Sequence, residues 1–309
     1  AAFEKISGEM VTLKKALAAS KTQIESKELA DRFSEKSKEY SAVELWDKGV
    51  KSYIGNGYAG TAPDYPTAFK WFHEAANFGH PEAQLLLGSM YENGQGVDQN
   101  HKKAFEWYQR GALQGHDASM FVVALAYIKG LGVKQDDALA ETWISKAAKL
   151  GNHMAQYNLA AMYRRGEGVP QDFKKAVKWY TAAAEQGISK AQSDLAIMYS
   201  FGEGVEQDYL KSLIWNIKAA MRGNETAQYN LAIMYGAGLG TDKSMMMAAY
   251  WLEIAANQGM MEAQYQLAVL YFEGAGVEQD DSLAEYWYRK AAAQGHEKSI
   301  YALEVLDNL

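Results

Sequence analysis

A glycine falls at positions 79, 115, 151, 187, 223, 259 and 295, always 36 residues apart. Tryptophan keeps that interval at 71, 107, 143, 179, 215, 251 and 287, and tyrosine keeps it at 91, 127, 163, 199, 235 and 271. Three columns in one register mark a stacked array, because a fixed period of roughly 20–50 residues is one supersecondary unit repeated. Such a unit cannot bury its apolar face alone, so each neighbour completes the core of the next. This constraint overrides the two-domain prior that 309 residues would otherwise carry.

Each regular unit reads as two helices. In the stretch 151–186, Ala155, Leu159, Met162 and Tyr163 lie at helical spacing and predict a first helix over His153–Arg165. Gly166-Glu167-Gly168 ends it, since glycine accepts the positive φ of a helix terminus. Asp172 is placed to cap a second helix, on which Ala176, Trp179, Tyr180, Ala183 and Ala184 share a face. Asp136, Asp208 and Asp280 hold the same place in other repeats, with Asn100 and Ser244 as equivalents. Small alanines allow close helix approach while the aromatic rings fill the gaps. The expected fold is therefore all-α, an α/α solenoid of about seven stacked helix–turn–helix repeats. Residues 1–42 carry no repeat and read as a helical cap, with a short coiled-coil contact as the alternative. Residues 43–78 read as an irregular first repeat with a longer loop, Asn56–Pro66, and residues 79–294 as six regular repeats. Residues 295–309 supply a last capping helix, with Ile300, Leu303 and Leu306 expected to pack on the sixth repeat.

Composition mainly excludes. A formal net charge of −7 argues against a nucleic-acid groove, which needs clustered basic residues. No apolar run reaches the roughly 18 residues of a membrane span. The absence of cysteine removes disulfides, thiolate nucleophiles and zinc–sulfur sites. No targeting segment is legible, and a start at Ala1-Ala2 without methionine suits a mature or trimmed form.

The string A-x-x-x-L-A-x-M-Y-x-x-G-x-G-V-x-Q-D-x-x-x-A-x-x-W-Y-x-x-A-A-x-x-G, from Ala155 to Gly187, closely resembles the Sel-1-like repeat family. That family is a subclass of the tetratricopeptide superfamily, and the resemblance covers roughly residues 43–309. Departures are local: Thr241 stands for the valine, Lys243-Ser244 for Gln-Asp, and Asn216 for the tyrosine after Trp215. The resemblance implies a right-handed superhelix whose first helices line a concave groove. It implies adaptors for protein–protein contacts, many in the bacterial envelope or secreted, others in endoplasmic-reticulum degradation complexes. A bacterial periplasmic or secreted location is thus expected, with the cytoplasm as the alternative.

Counted from each repeat glycine, offsets 4, 8, 11 and 12 are core by periodicity, while 3, 6, 7, 10, 13 and 14 point elsewhere at about 100° per residue. Matching Leu159, Ala160 and Tyr163 to the tetratricopeptide pattern puts those same offsets on that superfamily's peptide-binding side. Offset 6 reads Leu85, Phe121, Tyr157, Ser193, Tyr229, Tyr265 and Tyr301, and offset 7 reads Asn158, Asp194, Asn230 and Gln266 through the middle repeats. Tyrosines beside amides suit an extended peptide or a partner's terminus: amides pair with its backbone and rings cover its side chains. Arg164 and Arg165 could clamp a carboxylate. Each has a plainer reading. The tyrosines could pad the seam between first helices, Asn158 and Asn230 could bond a neighbouring helix, and the arginines could be a solvated pair beside Glu167. Met245–Met247 with Met260 and Met261 is either a secondary contact patch or filler of an irregular core.

Support for catalysis is thin. The six histidines are scattered, with no pair at zinc-ligand spacing, and no cofactor motif occurs. Gly166-Glu167-Gly168 follows a helix and lacks the Lys-Ser/Thr ending of a phosphate loop. Asp136-Asp137 and Asp280-Asp281 are explained by capping. The leading expectation is a non-enzymatic, monomeric scaffold holding a protein or peptide partner at Tyr157, Asn158, Arg164, Arg165, Asp194, Tyr229, Asn230 and Tyr265. Two alternatives stay open. One is a cell-wall or β-lactam-related hydrolase, to which some family members have been linked. The other is a purely structural assembly part that docks through residues 1–42.

Overall fold

The computed structural model describes residues 40–55 and 62–306. Among these are fifteen helices and no strand. In chain order they are α1 Ala42–Ile54, α2 Tyr65–Asn77, α3 Pro81–Asn93, α4 His101–Leu113, α5 Asp117–Lys129, α6 Asp137–Lys149, α7 His153–Arg165 and α8 Phe173–Glu185. They continue as α9 Ser189–Phe201, α10 Tyr209–Ala220, α11 Glu225–Ala237, α12 Met245–Asn257, α13 Met261–Glu273, α14 Asp281–Ala293 and α15 Glu297–Leu306. The expected cap over residues 1–42 falls almost wholly outside the described residues, as does most of the Asn56–Pro66 loop.

The chain divides into two compact units, the first ending at Trp143 and the second beginning at Ile144, within α6. In the first unit α1 pairs with α2 and α3 with α4, and the core gathers Leu45, Phe72, Leu87, Met90, Tyr108 and Val123. In the second, α7 pairs with α8, α9 with α10, α11 with α12 and α13 with α14, and α15 packs on α14. Leu159, Tyr180, Leu195, Met198, Leu231 and Leu267 are fully or almost fully buried there. Each unit is a segment of all-α solenoid in which every helix pair leans on the next.

The turn chemistry is set by a few residues per repeat. The first glycine of each Gly-x-Gly stands in the left-handed region at the helix C-terminus, as at Gly166 with φ 72°, where its N–H donates to the Met162 carbonyl. The second, as at Gly204, also has φ 72°, and a Cβ there would lie 2.5 Å from the Phe173 carbonyl oxygen of the preceding second helix. Only glycine meets both demands. The Gln-Asp that follows then closes two helix ends. The Gln171 amide donates to the Arg164 carbonyl at 2.9 Å, and the Asp172 carboxylate accepts from the Lys175 N–H at 2.9 Å. The capping side chains Asn100, Asp136, Asp208, Ser244 and Asp280 accept from the N–H three residues on in the same manner.

A second column does work that periodicity missed. Offset 5 holds Gln84, Gln156, Gln192, Gln228 and Gln264, all buried. Each donates its amide to a carbonyl of the preceding second helix, as Gln156 does to Ala148 at 3.1 Å. Four also accept from a glutamine after the second helix of their own repeat: Gln114, Gln186, Gln258 and Gln294, at 2.5–2.8 Å. In α15 the same offset is Ile300, which is 41 % exposed rather than packed as expected. Leu303 and Leu306 pack against the sixth repeat as expected.

Candidate functional site

The residues singled out at offsets 6, 7 and 13 gather at the seams between successive first helices, over the second helix of the earlier repeat. The α7–α9 seam is charged and closed upon itself. Arg164 Nε donates to Glu203 at 3.0 Å and its Nη1 to Asp194 at 3.2 Å, with Arg164 only 23 % exposed. The Tyr157 ring lies 5.8 Å from the Tyr180 ring, and its hydroxyl hydrogen-bonds the Asp194 carboxylate. Burial raises the Asp194 pKa above the usual aspartate value even though Arg164 and Tyr157 pull it down. Burial also raises the Tyr157 and Tyr180 phenols, and Asp194 adds to both shifts. The guanidinium that could clamp an incoming carboxylate is thus occupied by two of the chain's own.

Beside it, Asn158 donates its amide to the Met154 carbonyl of its own helix at 2.8 Å. Arg165 is exposed and pairs with Glu167 at 3.2 Å, a solvated contact of small energetic weight. One seam on, Asn230 turns toward α10 and reaches Asn216 at 3.5 Å, while Asn216 touches Ser212 and the Met234 sulfur. This polar cluster occupies the space left where Asn216 stands for a ring such as Tyr180. Asp194 and Tyr157 therefore sit together, and Asn230 sits apart from them on a separate internal network.

Three other seams are open. Between α11 and α13, Tyr229, Ile233, Gly236, Met245, Leu252 and Gln266 line a cleft of about 310 Å³. Burial and the nearby Glu262 raise the Tyr229 phenol. Between α13 and α15, Tyr265 packs 4.5 Å from His296 and 6.0 Å from Tyr288, and borders a cleft of about 470 Å³ with Phe272, Tyr301 and Val305. In the first unit, a cleft of about 370 Å³ between α3 and α5 is lined by Leu85, Phe105, Tyr108, Val122 and Leu125. Glu92 accepts from the Tyr108 hydroxyl there at 2.6 Å, and burial raises that phenol. Sequence reasoning named Leu85, Tyr229, Tyr265 and Gln266 in these columns but passed over Phe105 and Gly236. The signal at Gly236 was departure from its column, where sister repeats carry Glu92, Ile128, Arg164, Ser200 and Phe272.

On the outer side, Leu210, Ile214, Met246, Tyr250, Leu283 and Tyr286 are 38–67 % exposed along the second helices of the last three repeats. Among the described residues, no group of three or more His, Asp or Glu could hold a metal ion, and no helix is long and apolar enough to cross a membrane.

The Sel1 repeat model matches residues 52–80, 81–116, 117–152, 153–188, 189–224, 226–260 and 262–296. The chain is similar to a protective antigen of uropathogenic Escherichia coli that displays an SLR fold, with 33% identity over 90% of this chain and a TM-score of 0.83. It spans 59% of that protein's length. A Sel1 repeat protein from Oxalobacter formigenes is 32% identical over 87% of this chain and 78% of its own, with a TM-score of 0.70. Nothing among curated proteins matches. With seven matched repeats in the same register as its glycine, tryptophan and tyrosine columns, the chain belongs to the Sel1 repeat family.

Proposed function

We propose that this chain is a non-enzymatic scaffold that holds an extended segment of a partner protein along its first-helix face. Sel1 and tetratricopeptide-like repeats are typical protein-interaction folds, and that supports the class. The observation that carries the finer reading is the recurrence of clefts at one place in the repeat, lined in both units by offsets 6, 7 and 10. Clefts at the same place in the repeat, two of them in adjacent seams, suit a chain that lays side chains into them. The buried ionisable groups Asp194, Tyr157 and Tyr180 belong to one internally neutralised cluster, which supports a structural rather than a catalytic part for them.

The test is photo-cross-linking from benzoylphenylalanine placed singly at Leu85, Tyr229 and Tyr265, which border the open clefts, with Lys174, Tyr250 and Tyr286 as outer-face positions. A scaffold of this kind yields partner cross-links from the first set. Cross-links only from Tyr250 and Tyr286 would move the partner to the exposed apolar stripe, the second reading, which that stripe's size recommends. We also place the chain in the envelope or outside the cell. The E. coli relative's role as a protective antigen supports this, and fractionation of the native cells against a periplasmic marker tests it.

A further inference from the structure

We infer that the cleft between α11 and α13 is a built site for one uncharged, bulky side chain, leucine, methionine or phenylalanine, of the partner's extended segment; this rests on the scaffold reading. The first observation is a glycine the fold does not require. Gly236 has ordinary helical φ, and a Cβ there would meet Ala248 Cβ at 3.6 Å and Met245 Sδ at 3.9 Å, ordinary contact distances. The other glycines inside helices are different. A Cβ on Gly88 would strike the Tyr108 ring at 2.4 Å, one on Gly49 the Phe72 ring at 2.4 Å, and one on Gly111 the Ser119 hydroxyl oxygen at 2.5 Å. A glycine near a helix end that packing does not demand loses backbone entropy on folding with no structural return. What it leaves is space. The same offset carries Glu92, Ile128, Arg164, Ser200 and Phe272 in other repeats.

The second observation is the floor. The side chain after the repeat tryptophan is Tyr108, Tyr180 or Tyr288 in three repeats, Ile144 and Asn216 in two more, and Leu252 here. Both truncated positions line the cleft of about 310 Å³, roughly ten times the ~30 Å³ share of a liquid water; the clefts over Tyr108 and Tyr288 are larger still, so the lining rather than the size sets this one apart. The third is charge. No lining residue is ionised at neutral pH, and Gln266 is the one amide among them. A carboxylate or ammonium entering would lose its hydration with no ionised group in the lining, whereas an apolar side chain buries its surface. Within the lining Ile233, 47 % exposed, offers apolar surface, and Met245 supplies an adaptable thioether. The α7–α9 seam, two seams earlier, holds its own ion pairs and makes no such offer.

The test uses the full chain labelled with methyl-¹³C methionine, the Met245 resonance being assigned through Met245→Leu. The probes are blocked pentapeptides, Gly-Ser-X-Ser-Gly, with X as Leu, Met, Phe, Ala, Asp or Lys. The Leu, Met and Phe peptides should shift Met245 saturably, and the Asp and Lys peptides should bind at least about tenfold more weakly. Gly236→Leu should abolish the response while leaving the unfolding midpoint unchanged or higher. Should that variant fail to fold, Gly236→Ala, whose Cβ is accommodated, should weaken the Phe peptide more than the Leu peptide. Equal response to the Leu and Asp peptides, or a response that survives Gly236→Leu, overturns the assignment. A chain that is dimeric and turns monomeric on Gly236→Leu would put a second copy in the cleft and overturn it as well. Intact cross-linking from Leu85 and Tyr265 beside a silent Met245 would sink this site alone and leave the scaffold reading standing.

Discussion

Single side chains show how closely the array tolerates departure from its own pattern. Gln192 is the clearest case. Its amide N–H donates to Ala184 like its counterparts, but its buried Oε1 has no hydrogen-bond partner, because position 222 is arginine where the sister repeats carry glutamine. The Arg222 guanidinium lies instead against Gly187. Arg222→Gln should supply the missing donor and stabilise the chain by about 1 kcal/mol in urea unfolding. No gain would mean that the acceptor is satisfied in solution by other means. Asp194 makes an opposite case. Its folded pKa is raised, so between its unfolded value near 3.9 and the raised one the native state binds more protons and stability falls as pH rises. Asp194→Asn should remove that negative slope, read as the difference between the melting-temperature profiles of the two proteins from about pH 4 upward. Parallel profiles would show that Arg164 holds the carboxylate ionised throughout.

Among elements, the turn carries more specification than the helices. Gly204 and Gly223 both have positive φ, 72° and 81°, yet only Gly204 approaches foreign backbone; a Cβ on Gly223 would find nothing within 4 Å. Gly223→Ala should therefore cost only the left-handed penalty of about 1–2 kcal/mol. Gly204→Ala must in addition push the start of α10's neighbour α8 away at Phe173, and should cost at least about 2 kcal/mol more. Chemical denaturation of the two variants side by side decides this; equal losses would mean that φ alone explains the glycine. The last helix is worth a similar comparison. Leu303 and Leu306 of α15 cover the Leu267–Tyr288 core, so deleting residues 297–309 should lower the stability of the second unit by several kcal/mol, at about 1.5–3 kcal/mol per large side chain uncovered.

For the whole molecule, the scaffold reading predicts a monomer in solution, checked by light scattering with and without Gly236→Leu. It also predicts weak salt dependence of partner binding, since the α11–α13 cleft is uncharged and the one buried arginine cluster is internally paired. A steep loss of affinity between low and physiological salt would put the contact elsewhere, on exposed charge. Much of the protein was legible in its letters. The period of 36 dictated paired helices, because glycine in Gly-x-Gly must end one helix, aspartate must cap the next, and the Trp and Tyr columns must be buried somewhere. These are local demands, met within one repeat and its neighbour, so a linear string displays them. The pairing of Arg164 with Asp194 and Glu203, the turning of Asn230 toward Asn216, and the openness of the seam at Gly236 were not legible. Each depends on which side chains from three different helices arrive at one point and how much volume they leave. Chain order does not encode that sum; only packing in three dimensions evaluates it.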